Sequence, residues 1–251
     1  MKSNCIVLCV VALVAAANLS AQNAPAAQRP ARSGVKQPPD VAAPKMGTNA
    51  VPDAGFIKRH ESFVKIAQAG DTGLLFLGDS ITAGWGGQKN IWEKSFGEFK
   101  PANFGIGGDR TQHVLWRITN GELDGIKPKA VVLMIGTNNS GSDSAESIAS
   151  GITKIVETIR AKLTGTKVLL LAVFPRGEKP SPTREKLKQV NGIIAKLDDG
   201  KNVFYLDIGE KFLQPDGTLT REIMPDFLHL SAKGYQIWAD AITPKLAELT
   251  K

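Results

Sequence analysis

The sequence predicts a three-layer α/β/α sandwich built on a five-stranded, mainly parallel sheet. Three observations predict it. Short apolar runs occur at 74–77 (LLFL), 130–135 (AVVLMI), 168–173 (VLLLAV) and 203–206 (VFYL), with a weaker run near 102–106. Their apolarity is continuous rather than alternating, as in strands covered on both faces. Helical patterns lie between them: Ile148, Ile152, Ile155 and Ile159 step by four, three and four along one helix face. Further helices are expected near 53–69, 90–99, 111–119, 183–198 and 232–249. Strand and helix in alternation imply parallel strands joined by right-handed crossovers.

The chain of 251 residues is long enough for one such domain with a targeting segment ahead of it. Lys2 precedes the apolar run CIVLCVVALVAAA and then small residues, the pattern of a signal peptide over 1–21 that is too short to span a bilayer. A secreted or periplasmic protein is therefore expected, with no stable membrane insertion once the signal is cleaved. Residues 22–50 are rich in Pro and Ala and contain no aromatic residue. Such a segment buries too little apolar surface to offset its ordering entropy and reads as a disordered linker. The folded domain is expected over 51–251.

Both cysteines, Cys5 and Cys9, lie in the signal segment, which leaves the mature chain without disulfides, thiol catalysis or cysteine-metal sites. The formal charge is +7, but the basic residues are interspersed with acidic ones and form no stripe or known module. Nucleic-acid binding is not expected.

In open α/β sheets, ligands bind beyond the carboxyl ends of the strands. The first run ends at Gly78-Asp79-Ser80, the weak second at Gly107-Gly108-Asp109, and the third at Thr137-Asn138-Asn139, while PDFLHLSAKGY brings Asp226 and His229 just ahead of the last helix. Together these loops hold the parts of an acyl-transfer site. A serine hydroxyl needs a base, which His229 can supply to Ser80 because an imidazole titrates near neutrality. Asp226, three residues away, can orient that imidazole. The Ser80 and Gly108 backbone N–H groups and the Asn138 amide are candidate donors to an oxyanion. No metal or organic cofactor is needed. Asp79 is expected to bond loop backbone, and Ser231 to cap the last helix. His60 and His113 have no obvious partner and are read as non-catalytic.

Ser80, Gly108, Asn138 and the Asp226-x-x-His229 pair, in this order, resemble the four blocks of the GDSL or SGNH hydrolase family over roughly 74–246. The G-x-S-x-G pattern of α/β-hydrolases is absent, since residue 82 is Thr. The resemblance implies a flavodoxin-like sheet. NFGIGGDRTQHVLWRITNGEL, IKPKAVVLMIGTNN, PRGEKPSPTREKLKQVN and DFLHL are similar to one branch, the catalytic subunits of intracellular platelet-activating factor acetylhydrolase. That likeness implies a short-acyl pocket at Ile81, Thr137 and Leu228, and leaves a homodimer as an open expectation. Because exported relatives of this kind resemble carbohydrate O-acetyl esterases, the first expectation is an exported serine esterase for short-chain, acetyl oxygen esters of carbohydrates. The alternatives are a lysophospholipase, an acetylhydrolase-like lipid esterase or a thioesterase. A catalytically silent polysaccharide-binding protein is the rival outside enzymes.

Overall fold

The structure, a computed structural model, describes residues 37–48 and 50–251. Five strands form one sheet in the order β2-β1-β3-β4-β5, every pair parallel: β1 (Leu74–Gly78), β2 (Pro101–Gly105), β3 (Ala130–Met134), β4 (Lys167–Leu171) and β5 (Val203–Leu206). The predicted sandwich is the fold observed. The weak second run is explained by its place: β2 is an edge strand, half-buried over its first three residues, whereas β1 and β3 are buried throughout.

Alternate strand residues feed two cores. Leu75, Leu77, Val131, Leu133, Val168 and Leu170 pack against α1 (Ala54–Ala69), α4 (Thr111–Thr119), α5 (Ala145–Lys162) and α6 (Pro182–Ile194). Leu74, Phe76, Ala130, Val132, Met134 and Leu169 pack against α2 (Ser80–Ala83), α3 (Lys89–Phe96) and α7 (Ala232–Leu249). The period of two along each strand thus makes three layers from one sheet. Ile148, Ile152, Ile155 and Ile159 are all buried on α5, as their spacing requires.

The helix ends follow local chemistry. Asp53 caps α1 by accepting from the Phe56 N–H at 2.7 Å, and Ser144, Ser181 and Ser231 cap α5, α6 and α7. The cap role expected for Ser231 is the one it plays.

Residues 37–48 fall in the stretch that composition assigns to the linker, yet they pack against the domain. The Thr111 hydroxyl donates to the Pro39 carbonyl at 2.8 Å, the Ala43 N–H donates to the Gln112 carbonyl at 3.2 Å, and the Ser150 hydroxyl donates to Asp40 at 2.8 Å. Ala43 is buried. A few hydrogen bonds to α4 and α5 stand in for the apolar surface that this strap lacks. The expected signal peptide lies outside the described residues. Among the described residues, no helix is long and apolar enough to cross a membrane.

Candidate active site

The order 2-1-3 on one side of the sheet puts a topological switch point beside β1, and the four candidate loops gather there. The first is the sharp turn from β1 into α2. Gly78 ends the strand where a Cβ would lie 2.2 Å from Thr82 Oγ1 and 2.3 Å from the Met134 carbonyl, so only glycine fits. Asp79 Oδ1 accepts from the Ile81 N–H at 2.9 Å, which is the backbone-bonding role expected for it. Ser80 opens α2, where its N–H has no intrahelical acceptor. The Tyr235 hydroxyl, on α7, donates to the Ile81 carbonyl at 2.6 Å and ties the turn to the first turn of the last helix. Burial, with Asp79 nearby, pushes the Tyr235 phenol up and keeps it a donor.

Ser80 Oγ lies 2.9 Å from His229 Nε2, and His229 Nδ1 lies 2.7 Å from Asp226 Oδ2. Asp226 Oδ1 accepts from the His229 N–H at 2.7 Å and the Leu228 N–H at 3.1 Å. Burial raises the Asp226 pKa, but hydrogen bonds from the His229 ring and these two amides outweigh it and bring the value down to about 2. An ionised carboxylate can only accept, so His229 Nδ1 carries the proton and Nε2 offers its lone pair to the Ser80 hydroxyl. A local Asx-type turn thereby fixes the tautomer.

The turns that carry the other candidate donors adjoin Ser80 and each other. Gly108 has φ +72°, a backbone that favours glycine, and the nearest side-chain atom to a Cβ built on Gly107 is Ser80 Cβ at 3.9 Å. Asn138 stands in a 3₁₀ turn after Gly136, and its Nδ2 donates to the Asp109 carbonyl at 2.8 Å. That bond uses one amide proton and leaves the other for a ligand.

Behind this turn is a buried ionic network for which the sequence gives no obvious sign. Arg117 on α4 is fully buried; its Nε donates to Asp109 Oδ2 at 2.9 Å, its Nη1 pairs with Glu122, and its Nη2 donates to the Phe104 carbonyl at 3.0 Å. His60 Nδ1 lies 2.9 Å from Glu122 Oε1. His113 accepts at Nδ1 from the Arg110 N–H at 3.1 Å, and burial together with Lys45, Arg110 and Arg117 brings its imidazole down to about 3. Both histidines therefore have partners away from Ser80. The signal available in the sequence was Asp109, an acid directly after GIGG with a basic residue eight positions on.

The expected acyl-pocket residues separate. Ile81 is 1% exposed and packs in the core beneath α2 and α7 rather than facing the site. Thr137 is buried, and both its carbonyl and its hydroxyl accept from Arg176 Nη1 at 3.2 Å. Leu228 is half-buried on the loop that carries His229.

Comparison with known proteins agrees with this architecture. Residues 76–237 match the GDSL-like lipase/acylhydrolase family. Platelet-activating factor acetylhydrolase IB subunit alpha2 of Rattus norvegicus is 42% identical over 184 residues, covering 73% of this chain and 80% of the relative. A GDSL-like lipase of Bacteroides thetaiotaomicron superposes with a TM-score of 0.63 at 19% identity, over 75% of this chain and 97% of that one. The carbohydrate acetylesterase Est24 of Sinorhizobium meliloti gives 0.55 at 22%, over 70% and 98%. At these identities the two structures share the fold. The acetylhydrolase match corrects the expectation of a secreted or periplasmic protein. The relatives are subunits of the enzyme that the sequence resemblance identifies as intracellular, and they point away from export. A family model spanning more than half of the chain and relatives above 40% identity lead to one conclusion: the chain belongs to the GDSL-like lipase/acylhydrolase family of hydrolases.

Proposed function

We propose that the protein is a serine carboxylic ester hydrolase that removes a short acyl group, acetyl, from an oxygen ester through an acyl-enzyme. The observation that carries this reading is the hydrogen-bonded chain Ser80–His229–Asp226 beside the Gly108 and Asn138 donors. Ser80 Oγ attacks the ester carbonyl as His229 Nε2 takes its proton. The Ser80 and Gly108 N–H groups and the Asn138 amide hold the resulting oxyanion. When the tetrahedral intermediate collapses, the C–O bond to the alcohol breaks and His229 returns the proton to the departing alkoxide. Water then attacks the acyl-Ser80 ester with His229 again as base, releasing the acid and restoring the hydroxyl. Asp226 stays ionised throughout and offsets the transient imidazolium.

For the alcohol half, similarity to platelet-activating factor acetylhydrolase subunits supports an acetylated lipid over the carbohydrate ester first expected. The carbohydrate acetylesterase among the structural neighbours is similar in fold at 22% identity and carries less weight. Hydrolysis of p-nitrophenyl acetate by the purified chain, and its loss by at least about a thousandfold in Ser80→Ala, tests the reading. A Ser80→Ala protein keeping a tenth of wild-type activity refutes it.

A further inference from the structure

Lys45 lies on the N-terminal strap, far in sequence from all four catalytic loops, yet it reaches the Gly107–Asp109 turn. Its Nζ donates to the Gly107 carbonyl at 2.6 Å and pairs with Asp109 Oδ1 at 3.0 Å. It is also the nearest group to a Cβ built on Gly108, at 3.6 Å. The strap holds it there through the Asp53 N–H, which donates to the Lys45 carbonyl at 2.8 Å, and the Phe56 ring lies 5.7 Å from Nζ. The Lys45 side chain is 22% exposed and Asp109 is fully buried, so the pair is only partly screened by water.

The Gly107 carbonyl and the Gly108 N–H are the two ends of one peptide group. A cation on the oxygen polarises that group and makes its N–H a stronger donor. It also resists rotation of the peptide, which two adjacent glycines would otherwise permit. The same turn presents the Asp109 carbonyl that holds Asn138 Nδ2.

We propose that Lys45 is a positioning residue for the oxyanion hole, acting through the Gly107–Gly108 peptide, so that the strap over 37–48 is a working part of the active site. This rests on reading Ser80 as the nucleophile of an esterase. A charge that strengthens a donor to the oxyanion acts on the transition state more than on the neutral ester, so its loss falls on kcat and spares KM.

The test uses the full chain with Lys45→Met, which keeps the stem without the charge, and Lys45→Arg, which restores a charge. For p-nitrophenyl acetate, measured well below each variant's unfolding temperature, Lys45→Met is expected to lower kcat about tenfold with KM within about twofold, a fraction of the ~10²–10³ lost on deleting an oxyanion donor outright. Lys45→Arg is expected to recover at least half of that loss on a logarithmic scale. Unchanged kcat in folded Lys45→Met, or a loss confined to KM, overturns the proposal. The second readout is the Gly108 amide proton shift in NMR of the wild type and both variants, which needs no turnover. It is expected to move upfield in Lys45→Met and back in Lys45→Arg, and an unmoved Gly108 amide overturns the proposal. A wild-type chain with no Ser80-dependent hydrolysis refutes the esterase reading instead.

Discussion

Replacing Asp79 by Asn removes an ionisation buried beside the nucleophile and leaves the backbone contact in place. Asp79 is fully buried; Oδ1 accepts from the Ile81 N–H, and Oδ2 has no hydrogen-bond partner among the described residues. Burial, the largest influence, and the charge of Asp109 push its pKa from 3.8 up to about 7, against the lowering effects of the Ile81 N–H, His229 and Arg176. Between those two values the folded protein holds a proton that the unfolded chain has released. Stability therefore declines as pH rises from about 4 to about 7, and the deficit persists above that. At ~1.4 kcal/mol per pH unit the whole interval is worth about 4 kcal/mol, of which about 3 kcal/mol develops between pH 4.5 and 8.5. Asn has no such linkage. It still accepts from the Ile81 N–H, and any cost of its own amide is the same at both pH values. Urea unfolding of the wild type and Asp79→Asn at the two pH values should show the substitution shifting toward stabilisation by about 3 kcal/mol at the higher pH. A difference between the two proteins that stays constant to within about 0.5 kcal/mol would refute the titration assigned to Asp79.

Asp226→Asn should lower kcat/KM for acetate esters by about 10³–10⁴-fold with the unfolding midpoint little changed, because the imidazole loses both its tautomer control and its counter-charge. Circular-dichroism melting beside the assay separates that loss from unfolding. Acyl-chain length should matter: acetate is expected to be preferred over butyrate, with octanoate nearly inert, each added methylene changing kcat/KM by roughly ten- to two-hundredfold. With Ile81 in the core, Leu228→Ala is the substitution expected to relax that preference, and equal kcat/KM for acetate and octanoate esters of one alcohol would rule the pocket out.

The legible parts of the molecule are those written in short spans. Buried strands such as Leu74–Gly78 announce themselves by unbroken apolarity, and α5 by its isoleucine spacing. The ends of the strands were legible as well, because a glycine, an acid or a hydroxyl directly after an apolar run has few other reasons to be there. Ser80, Gly108 and Asn138 stand at such strand ends and His229 in the loop ahead of the last helix; in the fold Ser80 meets His229 and Asn138 meets the turn after Gly108. Ile81 departs from the pocket that the likeness implies, because adjacency to the nucleophile in sequence says nothing about which way a residue in a one-turn helix points. Its side chain follows the helix inward while Ser80 faces the opening. The ion pairs are illegible in the sequence for a different reason. His60 and Glu122 are 62 residues apart, and Lys45 meets Asp109 across an even longer interval. No local pattern encodes such a meeting. Arg117 reads as one more charge on a helix, although the fold leaves it with no exposure at all.

The network that escaped the sequence also explains how the site keeps its shape. Asp109, Arg117 and Glu122 are each fully buried, and withdrawing such charges from water costs about as much as their mutual attraction returns. An apolar cluster of the same volume would serve stability equally well. What it could not supply is direction. Arg117 holds Asp109 Oδ2 on one side, Lys45 holds Oδ1 and the Gly107 carbonyl on the other, and the Asp109 carbonyl between them is left aimed at Asn138. Two of the three candidate oxyanion donors thus depend on a three-residue turn containing two glycines, the most conformationally free stretch in the site. A partly buried ionic clamp constrains that turn through directional bonds, where apolar packing would find no side chain on either glycine to hold.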